Sequence, residues 1–507
     1  MNRILASAAA VALCFGQSAI AAEWQGHAGN PQHTAQAPAT SQALSHIHWS
    51  TPIDTDAQVF SGDIYAHYGS AIITTKNTVL LPVKTSDTGS ESSGNFRIEA
   101  HNAKTGALIW EQTTDYIAPP HSWVPMFGPQ LTPAGRLFYP GAGGTVFSRN
   151  PNVATGTPTR HAFYGLALYE KNEAEANANV FIDTPINSDA AGNVYFGFTV
   201  TGAAPAKLAS GIARISSTGK GAWIRAAATI GGSGQTKVQT NSAPAVSNDG
   251  STIYITVRDD GNGGAGYLVG LDSTTLQPKY KAALKDPVSG DNSWVDDDSS
   301  ATPTVGPDGD VYIGVLEAPF LEHNDRGWLL HFDSTLQTQK ATGSFGWDDT
   351  VSTVPASAVP SYTGTSSYLI ISKYNNYADF GLGDGENKLA VLDPNATQPD
   401  KYTYQGNPMA TVMKEVLTVL GPTSNSAENL PGVREWCISS AAVDPSSNSV
   451  LVNSEDGHAY RWNLKTNTLS QALDLNPPRG EAYTQTVVGV DGTVYAVNNA
   501  IFYAIGK

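Results

Sequence analysis

The sequence predicts an all-β fold: an eight-bladed β-propeller of four-stranded antiparallel blades, with the ring closed by an N-terminal strand in the last blade. Three observations predict it. One pattern of apolar segment, tight polar turn and alternating β segment recurs along the chain. Its turns are spaced by about 58 residues, which fits one four-stranded blade with its loops. The final unit lacks a fourth strand, while an unclaimed β segment stands near the N-terminus.

The clearest copies run from Leu131 to Tyr139, Ile186 to Phe196, Val246 to Ile255, Val305 to Ile313 and Val488 to Val497. Asp249-Gly250, Asp308-Gly309 and Asp491-Gly492 stand at three of the turns. Asp-Gly between alternating apolar residues signals a hairpin, because the turn needs positive φ. Weaker copies sit at Ile72 to Leu81, Val359 to Ile370 and Val443 to Val452. A longer interval precedes the seventh turn. Within it Met409, Val412, Met413, Val416, Leu417 and Leu420 have helical spacing. The same run also suits the outer strand of blade six.

Each unit then has a third strand ending in an acid or amide, as in Gly270-Leu271-Asp272, His331-Phe332-Asp333, Val391-Leu392-Asp393 and Arg461-Trp462-Asn463. The last unit ends at Ala504-Ile505. The segment His46-Ile47-His48-Trp49-Ser50 is expected to complete blade eight and so remove exposed sheet edges.

The fullest copy is Ile98 to Glu111, with Asn102, Thr105-Gly106 and Ile109-Trp110. It resembles the repeat of pyrroloquinoline-quinone (PQQ)-type propellers, in which an alternating strand, an Asp or Asn, a Thr-Gly turn and an apolar-Trp ending recur. The resemblance covers nearly the whole mature chain as architecture. It implies either of two activities. One is a non-catalytic scaffold, like the propeller of the bacterial outer-membrane assembly machine. The other is a quinone-dependent dehydrogenase with PQQ and calcium as cofactors. The chain departs from the second pattern. Cys437 stands alone where those enzymes have an adjacent cysteine pair, and there is no C-x-x-C-H segment for a covalent haem. The family's calcium-binding Glu and Asn and its base Asp have no assignable positions here.

Met1-Asn2-Arg3, the apolar run Ile4 to Phe15 and Ala19-Ile20-Ala21 read as a cleaved signal peptide over residues 1–21. Residues 22–45 read as a polar arm over the surface, and residues 46–507 as one propeller domain. Export to a periplasm or to the medium follows. No later stretch approaches the roughly 18 apolar residues a membrane span needs. Cys437 is then the single cysteine of the mature chain and reads as a small buried hydrophobe. Asp and Glu number 45 against 29 Lys and Arg, a formal charge of -16. That balance excludes nucleic acid, which needs clustered cations, and fits a soluble monomer.

Propeller ligands are expected at the face carrying the loops between blades and between second and third strands. The latter are read as long: Lys84 to Asn95, Gly143 to His161, Thr199 to Gly211, Arg258 to Gly266, Leu316 to Gly327 and Ser372 to Asn387. His323 to Arg326 reads as a polar loop tip. Four between-blade loops place a Trp just before an inner strand: His121-Ser122-Trp123, Trp294 with Asp296, Asp297 and Asp298, Trp347 with Asp348 and Asp349, and Arg434-Glu435-Trp436. Lys237, Tyr374 and Tyr483 are expected nearby. Flat aromatic faces beside carboxylates and cations suit a small molecule, a glycan, a peptide or a planar cofactor. The same Trp residues serve equally as filler between blades. Three readings follow: a ligand- or protein-binding scaffold, a PQQ- and calcium-dependent oxidoreductase, and a polysaccharide hydrolase or lyase using paired carboxylates. No residue is assigned to a catalytic role and no metal ligand set is named.

Overall fold

A computed structural model of the chain describes residues 23–507, apart from 61–62, 66–68, 87–94, 121–126, 297–298, 319–325, 377–382, 402–410, 429–430, 437 and 476–483. The expected signal sequence, His121, Trp123, Asp297, Asp298, Cys437 and Tyr483 lie outside the described residues.

The eight repeats fold into eight antiparallel sheets, each running outward from a short inner strand. Blade one is typical, with strands Ile72–Ile73, Thr78–Ser86, Asn95–Asn102 and Leu108–Thr113. In blade five three strands form the ladder, and isolated bridges from Phe332 to Gln339 and from Leu329 to Gly343 mark the fourth position. Blade eight takes Val487–Val488, Val494–Asn498 and Ile501–Gly506 from the C-terminus and His46–Pro52 from the N-terminus. The ring therefore closes as the sequence predicts.

The repeated polar residues have a local job. Asn102 accepts backbone N–H groups of Lys104 and Thr105, and Asp272 those of Thr274 and Thr275. Asn463 does the same for Lys465 and Thr466. The side chain thus replaces the ladder partner that the backbone loses at the turn. The Trp endings then join blades. Trp49 Nε1 donates to the Ala103 carbonyl of blade one at 2.8 Å. Its ring covers Gly106, where a Cβ would lie 2.7 Å from it, and φ is +70°. Trp110 Nε1 donates to the Pro151 carbonyl of blade two at 2.8 Å, with Arg149 3.8 Å above its ring.

Of the two readings of the run Val412 to Leu420, the outer strand of blade six holds: it is Thr411–Leu420, paired with Lys388–Pro399, while Met409 lies outside the described residues. A long strand edge left open beside it outweighs the apolar spacing. Gly143 to His161 is not a second-to-third-strand loop. Leu137–Pro140 and Thr145–Arg149 are joined by a tight turn, and the longer connection, residues 150–158, follows the third strand. Arg326 is not a loop tip but a buried cation, paired with Glu317 at 3.0 Å and Asp400 at 2.7 Å.

The largest correction concerns the arm. Residues 23–45 do not lie over the outside; they run round the axis, bonding the inner strands of blades one to seven and the first turn of blade eight. Trp24 exchanges both backbone hydrogen bonds with Ile73 of blade one, and Gln25 accepts from Leu131 of blade two. Pro31 accepts from the Asn187 side chain of blade three and from the Val246 N–H of blade four. Gln32, Thr34 and Ala35 accept from Val305, Thr353 and Val443 of blades five to seven, and Gln42 donates to Gly492 of blade eight. An inner strand has a neighbour on one side only, so its axial N–H and C=O groups need partners. The arm supplies them. Ala28, His33 and Ala35 adopt positive φ to do so, a conformation L-residues hold only where surroundings enforce it.

Two histidines sit inside this belt, ring centroids 5.2 Å apart. His33 Nδ1 lies 2.7 Å from the Pro303 carbonyl and Nε2 3.1 Å from the Asn187 amide nitrogen. The Pro303 carbonyl can only accept, so Nδ1 of His33 carries the proton. Burial pushes His33 down to about 4 and His27 well below its ordinary value. The unfolded chain takes these protons near pH 6.5, so it binds more of them than the folded chain below that pH. Stability contributed by the pair is complete above about pH 6.5 and is lost as pH falls toward 4. Asp349 and Asp54, whose carboxyls burial raises, act with the opposite sign, so a difference measurement is needed. Between those pH values His33→Gln should lose up to about 3 kcal/mol less than the wild-type chain, read from urea midpoints. Equal losses would refute the assignment.

Candidate functional site

The arm meets the C-terminal ends of the inner strands. The residues that precede those strands therefore form the other end of the channel, its mouth. Buried hydroxyls and amides line it, and they bond from blade to blade. Ser300 Oγ donates to Asp348 at 2.7 Å, Thr350 Oγ1 to the Ser300 carbonyl at 3.1 Å, and the Thr350 N–H to the Ser439 carbonyl at 2.8 Å.

Two groups of expected site residues come together here. The first lies at blades six and seven. Asp348 has φ +53°, a left-handed conformation that Asp tolerates, and its other carboxylate oxygen lies 3.6 Å from Lys373 Nζ. Asp349 accepts from Ser372 Oγ at 2.7 Å and from the Lys373 N–H. Burial pushes the Asp349 carboxyl up to about 7, against the pull of the Lys373 charge and these hydrogen bonds. It therefore exchanges a proton near neutral pH. Glu435 accepts from the Asn375 amide at 2.8 Å, and Asn375 also accepts from the Trp436 N–H. Arg434 is half-buried, its N–H donated to Thr423.

The tryptophans divide. Trp436 is fully buried among apolar side chains and meets Tyr460 edge-on at 5.7 Å. Trp347 is nearly as buried. Tyr374 is core too, packed on Phe345 at 4.3 Å. Trp436 and Tyr374 fill space in the core.

The second group lies at blades four and five, and it is half-exposed. Trp294 carries the Arg258 guanidinium 5.4 Å from its ring centre. Arg258 pairs with Asp260 and, at 3.3 Å, with Asp296; Lys237 lies 3.8 Å from Asp260. Gln239 holds the Asp296 carbonyl at 3.2 Å. Aromatic face, two cations and two carboxylates thus share one solvent-facing rim.

Sequence reasoning missed Lys373, Arg258 and Ser300. Lys373 carried a usable signal: it is the charged residue in Tyr368–Tyr374, a strand buried along its length. Arg258 and Ser300 carried none, because their roles arise only from neighbouring blades.

Asp348 and Asp349 do not fit a calcium ion. Such an ion takes about six to eight oxygens. Asp348 and Asp349 are instead neutralised by Lys373 and by hydroxyl and amide donors, and no group of three or more His, Cys, Asp or Glu is placed to hold a metal among the described residues.

No family model matches the chain, and no curated protein matches it by sequence. Solved structures do. The chain is similar in fold to a europium-containing methanol dehydrogenase, with TM-score 0.55 and 10% identity over 94% of this chain and 89% of that one. A quinohemoprotein alcohol dehydrogenase from Comamonas testosteroni gives TM-score 0.55 at 12% identity, covering 96% and 81%. Another, from Pseudomonas putida HK5, gives 0.51 at 13%, covering 97% and 77%. The fold is that of a quinoprotein-type propeller. At these identities the likeness concerns fold alone.

The buried cluster yields a direct test. Lys373→Met leaves Asp348 and Asp349 without their cation and should cost about 3–5 kcal/mol in urea unfolding. Adding Asp348→Asn should restore part of that loss. Additive losses would mean the pair is not coupled.

Proposed function

We propose that the chain is an exported, monomeric ligand-binding propeller that captures a small molecule or glycan at the mouth rim. The observation that carries this reading is the half-exposed group of Trp294, Arg258, Asp260, Asp296 and Lys237. It offers an aromatic face with both signs of charge on a rigid support, as ligand sites do. The deeper carboxylates are instead committed to Lys373, Ser372, Ser300 and Asn375. In a thermal-shift screen of the mature chain against sugars, peptides, and quinone with calcium, one class should raise the midpoint saturably. Trp294→Ala should abolish that rise while leaving the ligand-free midpoint nearly unchanged. A rise that survives the substitution would overturn this rim as the site.

A second reading, an oxidoreductase, is supported by the three named dehydrogenases of similar fold and by Asp349, a carboxyl poised to take or give a proton beside Lys373. Alcohol-dependent dye reduction with added quinone, lost in Asp349→Asn, would establish it in place of the first.

Export rests on the signal-like N-terminus, Met1 to Ala21. Mass spectrometry of the protein from its native host should find a mature N-terminus at Ala22 or Glu23. An intact Met1 would refute cleavage.

A further inference from the structure

The outer rim holds a second feature, away from the channel. A cavity of about 600 Å³ opens between the edge strands of blades two and three, Thr159–Ala162 and Gly221–Arg225. Arg160, His161, Phe163, Tyr164, Lys220 and Trp223 are in its walls. Its floor is fixed by backbone contact. A Cβ on Gly221 would lie 2.1 Å from the Phe163 carbonyl oxygen, so the two blades touch there and part above.

The aromatic part is rigid. Phe163 is buried and packs on Phe198 at 4.4 Å, and Phe198 meets Trp223 edge-on at 6.0 Å. Tyr164 crosses Phe163 at 4.9 Å and donates its hydroxyl to the Gly143 carbonyl. Tyr164 and Trp223 stay half-buried, so each keeps a face toward the opening. The polar part is cationic. Lys220 is exposed at the turn before the blade-three edge strand. Arg160 lies over the Phe147 ring at 4.2 Å and shares its charge with Asp115. His161 spends Nε2 on Ser148 Oγ at 2.8 Å, which leaves Nδ1 on the side of Gly219. Burial and the nearby Arg136 push His161 down, so at neutral pH it offers a hydrogen bond rather than a charge.

The charge is local to these blades. Residues 114–225 hold eight Lys and Arg against six Asp and Glu, in a chain whose formal charge is -16. A cationic region on an acidic protein steers anions to itself. Flat aromatic faces flanked by hydrogen-bonding groups suit the apolar faces and hydroxyl edges of sugar rings. The volume lies within the usual range for small-ligand sites, roughly 300–1,000 Å³.

We infer that the groove between blades two and three binds an acidic oligosaccharide, with Trp223 and Tyr164 against sugar faces and Lys220 and Arg160 toward carboxylates. This site is separate from the mouth rim, and its failure leaves the mouth reading untouched.

The test is calorimetric titration of the mature full-length chain with an oligogalacturonate, a neutral cello-oligosaccharide of equal length, and polyphosphate. The oligogalacturonate should bind at least about tenfold more tightly than either comparison. Lys220→Glu, an exposed change that spares the fold, should weaken it by about tenfold or more, and added salt should weaken it further. Trp223→Ala should weaken it while Trp294→Ala does not. Polyphosphate binding as tight as the acidic sugar would show a bare charge effect and overturn the proposal. So would an absence of oligogalacturonate binding, or binding indifferent to Lys220→Glu and Trp223→Ala.

Discussion

A propeller has eight sheet edges that face its own axis, and their unpaired backbone groups must be satisfied. The rest of this structure depends on how that is done. The N-terminal arm passes each inner strand in turn and gives or takes a backbone hydrogen bond at every blade. The chain then turns outward and becomes the outer strand of blade eight, so one continuous segment closes the ring twice, at the axis and at the rim. Positive φ at Ala28, His33 and Ala35 is the local cost of that path. It persists because many partners over-determine it.

Closing one end of the channel gives the other its character. The mouth keeps its hydroxyls, amides and carboxylates, and these bond both within blade six, as Asp349 does to Ser372, and across blade boundaries, as Ser300 does to Asp348 and Asn375 to Glu435. Buried charge of this kind contributes little net stability but penalises any arrangement that separates the partners. Asp348, Asp349 and Lys373 therefore read first as a device that fixes the loop entering blade six, with Ser300 tying Asp348 to blade five. The same burial that makes the cluster structural also raises the Asp349 carboxyl into the neutral range. A scaffold role and proton chemistry thus draw on one physical cause, and ligand and turnover experiments rather than geometry separate them.

The Trp residues illustrate how one sequence signal covers several environments. Trp49 and Trp110 dock on the turn of the next blade, Trp436 fills a core, and Trp294 faces solvent under an arginine. The first two stand in outer strands and the last two in the loops before inner strands. Their differences come from the blade beyond, which no local pattern reports.

The sequence by itself determined the repeat, the blade number, the turns and the closing strand. Each of these is set by short-range chemistry: period-two alternation, Asp-Gly turns, and an Asn or Asp that caps its own turn. Only the tertiary structure decided the course of the arm, because a polar segment rich in Pro, Gln and Ser carries no periodicity, and its partners are hundreds of residues distant. It also decided that Thr411–Leu420 is a strand, since an open ladder edge exists only once blade six has formed. The burial of Lys373 and Arg326, and the groove between blades two and three, likewise arise where separate repeats meet. Interactions within a repeat were legible; interactions between repeats required the ring.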